Sequence, residues 1–269
     1  MQLQPNERVS IDLDDNGVAH VRLIRADKMN ALDNEMFDRL IEAGQVLHDM
    51  KGLRSVVLSG EGRSFCAGLD LSNFTNDRTT EGGQTLIDRT HGNANRAQQV
   101  AMQWRKLPVP VVAAVHGVCF GGGFQIASGA DIRVIAPDAR LAIMELKWGL
   151  VPDMGGFALW RGTARDDVLR ELVYTNREFN GVEAGEYGFA THVEENPIER
   201  ATAIATEIAD RNPHAIRGAK RLANAMFDEG TDHLLMEESR EQHAIMRTPN
   251  QMEAVIAGMQ KRKANYTDV

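Results

Sequence analysis

Two short stretches of this sequence have the composition of loops that bring backbone close to a ligand. Phe65-Cys66-Ala67-Gly68-Leu69-Asp70 comes soon after the apolar run Ser55–Ser59. His116-Gly117-Val118-Cys119-Phe120-Gly121-Gly122-Gly123-Phe124-Gln125 continues directly from the apolar run Val109–His116. A strand that runs into glycines and then a helix leaves free N–H groups at the helix start, where the helix dipole also favours negative charge. Glycine lets a ligand approach the backbone closely. The second loop lacks the Gly-Lys-Ser/Thr of a P-loop, and the GxGxxG spacing of a dinucleotide site is absent. One such loop is also compatible with tight helix–sheet packing alone. With two, an N–H from each can converge on one oxygen and stabilise charge developing in a transition state.

The hydrophobic pattern indicates what must position these loops. Val9–Leu13 and Val18–Leu23 read as strands joined by the hairpin turn Asp14-Asp15-Asn16-Gly17. Asp33 can cap a helix running to about Met50, with Met36, Phe37, Leu40, Ile41 and Leu47 at helical spacing. Ser55–Ser59, Val109–His116, Ile132–Ala136 and Leu141–Glu145 read as buried strands. This alternation predicts an α/β core with parallel strands. From about Asn196 the pattern is helical only, broken near Asn212-Pro213, Gly230 and Pro249. It predicts a core over residues 1–195 and a C-terminal helical segment over 196–269, read as an oligomerisation element. Residues 73–100 are polar and glycine-containing, as expected of a loop that shapes a substrate pocket.

Composition narrows the class. The chain has 269 residues, 43% of them apolar, enough for a sizeable core. No apolar run approaches the roughly 18–20 residues of a membrane-spanning helix. Met1–Ser10 is polar and lacks a signal-peptide core, so a cytoplasmic protein is expected. A formal net charge of −8 argues against a nucleic-acid partner. Cys66 and Cys119 form no CxxC and the histidines form no HExxH, so no metal site is expected.

The two loops, in this order and spacing, resemble the crotonase (enoyl-CoA hydratase/isomerase) family. So do Arg25-Ala26-Asp27-Lys28-Met29-Asn30-Ala31-Leu32, Asp131-Ile132-Arg133, Glu145, Gly149-Leu150-Val151-Pro152 and the tail Lys261-Arg262-Lys263-Ala264-Asn265-Tyr266. The resemblance covers nearly the whole chain. It implies a crotonase-like spiral of ββα turns with C-terminal helices that mediate trimers, often paired into hexamers. It implies an acyl-CoA thioester as substrate, with coenzyme A a part of that substrate and no separate cofactor. The hole for the thioester oxygen would be formed by the N–H groups of Leu69 and Gly122, and Cys66 and Cys119, each three residues earlier, would be near neighbours. The resemblance places the CoA adenine beside Ala67, Gly68, Asp70 and Leu71. Arg25 and Lys28 lie where the family contacts CoA phosphates, the alternative being a solvated charged loop, and Ala31, Gly121 and Trp148 join the substrate-binding set. Lys261–Lys263 either reaches a neighbouring subunit's CoA or is a solvated helix end.

A thioester oxygen in such a hole makes the α-proton acidic and the β-carbon electrophilic, and the surrounding acids decide which reaction occurs. Hydratases of the family use two glutamates to position and activate a water. Here the first of those positions is Gln125, which can orient a water but cannot take its proton. The second is Glu145. Asp153 stands where hydratases usually have glycine and where the dienoyl-CoA isomerase branch has an aspartate, although that branch also has an aspartate at the Gln125 position. The 4-chlorobenzoyl-CoA dehalogenase branch has an aspartate at the Asp153 position too, but a tryptophan at that of Glu145. An alternative for Asp153 is a cap on a helix starting at Met154. Glu145 and Asp153 in one pocket would divide into an acid and a base and move a proton on the enolate. Isomerisation of an unsaturated acyl-CoA is slightly favoured. The alternatives are hydration of a 2-enoyl-CoA by Glu145 with Gln125 orienting the water, and acyl-CoA binding without catalysis. A serine protease of the same spiral fold would need a nucleophile among Ser64, Ser72 and Ser128. Arg89, His91 and Arg96 are either acyl-pocket or exposed helix residues.

Overall fold

The chain reverses at Asp14–Gly17 because the Asp14 carboxylate accepts hydrogen bonds from the N–H groups of Asn16 and Val18, both at 2.9 Å. The turn joins antiparallel strands β1 (Val9–Leu13) and β2 (Val18–Leu23). In this computed structural model the described residues are 6–70, 85–226 and 229–269. Helix α1 (Asn34–His48) starts where expected, with Asp33 Oδ1 accepting from the Met36 N–H at 2.8 Å. Met36, Phe37, Leu40 and Leu47 form its buried stripe.

Strands β3 (Ser55–Gly60), β5 (Val111–Val115), β7 (Ile132–Ile135) and β10 (His192–Val193) extend the hairpin into a six-stranded sheet of order β1-β2-β3-β5-β7-β10, parallel from β2 onward. A four-stranded sheet holds β4 (Ser64–Cys66), β6 (Val118–Phe120), β8 (Arg140–Ala142) and β9 (Phe179–Asn180), with β8 and β9 antiparallel. Strands of two or three residues carry no periodicity, which is why the sequence shows β4 and β6 as loops. The expected strand Leu141–Glu145 ends at Ala142, and Glu145 opens a 3-10 turn, Glu145–Trp148.

Each turn of the spiral takes one strand from each sheet and then a helix. β3 and β4 precede α2 (Arg96–Lys106), β5 and β6 precede α3 (Gly122–Ser128), and β7 and β8 precede α4 (Gly156–Trp160) and α5 (Asp166–Thr175). Residues 85–94 lead into α2 through turns and an Asn95–Gln98 capping box, so part of the expected 73–100 loop is helix. Helix α6 (Gly181–Tyr187) follows β9.

Helix α7 (Pro197–Ala209) covers one face of the large sheet, packing Ala201, Ala205 and Ala209 on Val18, Val57, Val112, Ala114 and Val134. The opposite face belongs to the main core with α1 and α2. Packing therefore runs across the 195/196 position, where only the secondary-structure pattern changes. Helix α8 (Pro213–Ala225) is pinned through Lys220, whose buried ammonium donates to the carbonyls of Trp104 (3.0 Å) and Val109 (2.8 Å) and to Asp131 Oδ2 (2.8 Å). Asp131 Oδ2 also accepts from the Val111 N–H at 2.7 Å. Burial lowers the Lys220 pKa, opposed by the Asp131 charge. Arg133 donates to the carbonyls of Phe189 (2.5 Å) and Ala130 (2.9 Å), so the Asp131-Ile132-Arg133 motif braces the core. Helices α9 (Thr231–Ile245) and α10 (Pro249–Gln260) complete the chain.

Lys220 is buried while its partner Asp131 is exposed, so loss of the ammonium mainly leaves the buried carbonyls of Trp104 and Val109 without their donor, at about 1–3 kcal/mol each. Lys220→Ala is expected to lower the unfolding free energy by an amount of about that order in urea titration. Lys261→Ala, at an exposed position, should stay within about 0.5 kcal/mol of the parent.

Candidate active site

Strands β4 and β6 deliver the two glycine loops. They are parallel neighbours, pairing Ser64 with Val118 and Cys66 with Cys119, so the two loops leave the sheet side by side. The cysteines are neighbours as expected, and both are buried. Burial pushes the Cys66 thiol up to about 12 and Cys119 well above its usual value, which leaves both as unreactive packing groups. Gly68 has φ +88°, and a Cβ there would lie 2.7 Å from the Phe120 carbonyl oxygen and 3.7 Å from the Gly122 nitrogen. A Cβ on Gly123 would lie 2.5 Å from the Cys66 carbonyl oxygen. Side chains at these positions would force the loops apart.

Leu69 forms a parallel bridge with Leu32, in which the Leu32 N–H donates to Gly68 O (2.8 Å) and the Asp70 N–H to Leu32 O (3.0 Å). That pairing turns the Leu69 N–H to the other edge of the strand. Gly122 is the first residue of α3, so its N–H has no acceptor within the helix. Among the described residues neither N–H has an acceptor. The two groups singled out for an anionic oxygen are thus brought to adjacent loops.

The N-terminal motif braces the first loop. Arg25 Nη1 donates to Asp70 Oδ2 (2.6 Å) and Ala31 O (3.0 Å), and Nη2 lies 3.4 Å from Asp33 Oδ2. Arg25 is thus held between two carboxylates, one of them on the loop that carries Ala67, Gly68 and Asp70. Lys28 is exposed and has no ion pair among the described residues. Leu71 lies outside the described residues. The sequence reading missed the part played by Asn30, which is fully buried and donates through Nδ2 to the carbonyls of Glu61 (3.0 Å), Ser64 (2.9 Å) and Phe65 (3.2 Å). No signal in residue type or spacing marks it, because its partners lie more than thirty positions away.

Glu145 is buried against the second loop, since a Cβ on Gly121 would lie 3.4 Å from its Oε1. Gln125 Nε2 donates to that Oε1 at 2.6 Å. Glu145 Oε2 is buried and has no hydrogen-bond partner among the described residues. Burial raises the Glu145 pKa, and the Asp153 charge raises it further. The N–H groups of Glu145 and Met144 and the Gln125 amide act in the opposite direction. Asp153 is exposed and is not a helix cap, because α4 begins at Gly156 with Gly155 at its N-cap. Trp148 shares the turn of Glu145 and is 47% exposed, as are Val151 (67%) and Phe157 (53%), which gives this part of the surface an apolar rim.

Other candidates are engaged elsewhere. Arg96 pairs with Asp38, Arg89 bonds Gln98, and His91 lines a small cleft between α1 and α2 with Gln103 and Lys106. Ser128 donates to Phe124 O and accepts from Trp160 Nε1, and Ser64 has no basic hydrogen-bond partner among the described residues. Ser72 lies outside them. Arg262 is paired with Glu253, and Lys263 with Asp210.

The folded protein holds the Glu145 proton more tightly than the unfolded chain, whose glutamates titrate near 4.5. Glu145 thus weakens the fold as pH rises from that value through the raised one. Glu145→Gln should melt a few degrees above the parent at about pH 8, with the difference vanishing towards about pH 4. A difference independent of pH would rule out the buried charge as its cause.

Residues 14–269 match the family model described as enoyl-CoA hydratase/isomerase. The chain is 28% identical over 263 residues to the mitochondrial Delta(3,5)-Delta(2,4)-dienoyl-CoA isomerase of Mus musculus, covering 95% of this chain and 80% of the relative. It is 30% identical over 266 residues to the peroxisomal Delta(3,5)-Delta(2,4)-dienoyl-CoA isomerase of Arabidopsis thaliana, covering 94% and 93%. A probable enoyl-CoA hydratase of Bacillus subtilis is 28% identical over 243 residues, covering 88% and 90%. The solved structure of an enoyl-CoA hydratase from Bacillus anthracis aligns with a TM-score of 0.87 at 26% identity, covering 96% and 98%. The adjoining glycine loops, the ββα spiral and these matches agree, and the chain belongs to the enoyl-CoA hydratase/isomerase family of the crotonase superfamily, whose members are enzymes acting on acyl-CoA thioesters.

Proposed function

We propose that this enzyme shifts a double bond in an unsaturated acyl-CoA, with Glu145 and Asp153 as its two proton carriers. The observation that carries this reading is the engagement of Gln125 at both ends of its amide. Nε2 donates to Glu145 Oε1, and Oε1 accepts from the N–H groups of Met154 (3.0 Å) and Gly156 (2.9 Å). The amide is no base, and its oxygen is already occupied, so the two-carboxylate water site of hydration lacks one half. Glu145 and Asp153 instead provide one buried and one exposed carboxyl, an arrangement that separates an acid from a base. The names of the Mus musculus and Arabidopsis thaliana relatives support the same reading.

In the proposed reaction the thioester oxygen accepts from the N–H groups of Leu69 and Gly122. Asp153, ionised, removes a proton from the α-carbon. The electron pair moves onto the thioester oxygen, where the two N–H groups stabilise the enolate. Glu145, whose neutral form burial favours, returns a proton to a carbon further along the conjugated chain, and the double bond shifts. One proton leaves, one arrives, and no water is consumed. The CoA portion runs along Ala67–Asp70 towards Lys28, with Trp148 beside the acyl group.

The test is a panel of 2-enoyl, 3-enoyl and 3,5-dienoyl thioesters in deuterated water, with products read by mass. Deuterium uptake with a displaced double bond is expected. Addition of water to the 2-enoyl thioester as the main reaction would overturn the reading in favour of hydration, and tight binding without turnover of any of them in favour of a binding protein. Glu145→Gln and Asp153→Asn should each lower kcat by about 10²–10⁴-fold with acyl-CoA affinity nearly unchanged. Full turnover in both variants would refute the proton pair.

We also infer that the chain self-associates through its C-terminal helices, as a trimer or a pair of trimers. Met252, Val255, Ile256 and Met259 are exposed on α10 at the spacing of one helix face, and Leu235 and Met236 are exposed on α9. Light scattering should give a multimer for the parent and a smaller species for Ile256→Glu combined with Met259→Glu. A monomeric parent would contradict this.

A further inference from the structure

We infer that Gln125 is a positioning residue that ties the two proton carriers together and leaves Glu145 a single working oxygen, Oε2. The inference rests on the reading of Glu145 and Asp153 as proton carriers. Gln125 lies on α3, where every residue is buried. Its amide spans two separate segments. Nε2 holds Glu145 Oε1 at 2.6 Å, and Oε1 holds the N–H groups of Met154 at 3.0 Å and Gly156 at 2.9 Å. Met154 directly follows Asp153, so one side chain fixes the Glu145 carboxylate and the backbone that carries Asp153.

Glutamine suits this place for a chemical reason. Both partners on one side are donors and the partner on the other is a carboxylate, so the amide has one satisfactory orientation. Reversing it would set NH₂ against two N–H groups and oxygen against a carboxylate. A glutamate here could still accept from Met154 and Gly156, but would set a second carboxylate oxygen 2.6 Å from Glu145 unless the pair shared a proton. The approach also depends on Gly156, where a Cβ would fall 2.8 Å from Gln125 Oε1.

The clamp occupies Oε1. Oε2 is buried and without a partner among the described residues, which makes it the oxygen that exchanges a proton with substrate. The charges around Glu145 are few. Neither α3 nor α4 contains an ionisable side chain. Asp70 of the first loop is paired with Arg25, and Lys147 on the Glu145 turn is exposed over the Trp148 ring. Asp153 is the outside charge acting on Glu145. The Gln125 hydrogen bond favours the ionised form of Glu145 against burial and Asp153.

Two variants separate positioning from simple packing. Gln125→Met nearly keeps the volume and removes both ends of the clamp. Gln125→Glu keeps the acceptor for Met154 and Gly156. Carbon-13 NMR of glutamate carboxyls in the ligand-free enzyme, with Glu145 assigned from its loss in Glu145→Gln, reads the titration without any substrate. In Gln125→Met, Glu145 should titrate at higher pH than in the parent, and the limb of the pH–rate profile that follows it should move the same way. Its kcat should fall about a hundredfold, with KM within about threefold. In Gln125→Glu the carboxyl pair should titrate in two separated steps, with kcat nearer the parent at acidic than at alkaline pH. A Glu145 titration unmoved in both variants would overturn the inference, as would parallel losses of kcat, KM and melting temperature without a change in the pH profile. Because the titration needs no turnover, a moved titration with hydration as the only reaction would leave the clamp standing and remove the isomerase reading. An unmoved titration in a working isomerase would remove the clamp alone.

Discussion

Everything in this site depends on two backbone loops sharing a space too small for side chains. The parallel pairing of β4 with β6, which shifts register between Ser64 and Cys66, sets the Cys66 and Cys119 chains alongside each other, and Gly68 and Gly123 let the loops beyond them touch. A single methyl at Gly68 would meet the Phe120 carbonyl oxygen at 2.7 Å. That contact would separate the Leu69 and Gly122 N–H groups, which the proposed reaction needs on one oxygen. The rest of the spiral holds that contact in place: Asn30 ties down the carbonyls of β4, and Arg25 joins Asp70 to the Ala31 carbonyl.

Against this rigid floor the fold sets a buried carboxylate. A carboxyl removed from water resists ionisation, and the nearby Asp153 charge adds to that resistance. Gln125 and nearby N–H groups limit the effect without cancelling it. The outcome is a proton held more firmly than an ordinary glutamate holds one, beside the second glycine loop. Preorganisation of this kind leaves little reorganisation for the moment of reaction.

Buried polar groups elsewhere carry out the bracing that makes such a site stiff. Lys220 reaches from α8 to carbonyls near the start of β5 and to Asp131, and Arg133 reaches the Phe189 carbonyl. Lys220 is a charge in a dry place, with three acceptors around its ammonium. Together with α7 on the outer face of the large sheet, they make the first C-terminal helices part of the same body as the glycine loops.

The sequence by itself determined the hairpin, α1 and its Asp33 cap, and the three long inner strands, because hydrophobic period and turn chemistry are local. It also determined the family, since the glycine loops, Glu145 and the N-terminal motif each show in residue type and spacing. It did not show β4, β6, β9 or β10, whose two or three residues gain their structure from neighbours distant in the chain. Only the tertiary structure decided which groups Arg25 and Gln125 contact. Nothing in the spacing of Arg25 indicates that Asp33 and Asp70 stand around its guanidinium. A glutamine in place of a glutamate reads as a group able to orient a water, and residue type does not show its amide bonded to Glu145 on one side and to the Met154 N–H on the other. The contacts of Arg25 with Asp70 and of Gln125 with Glu145 join residues 45 and 20 positions apart, and sequence spacing carries no direct record of such contacts.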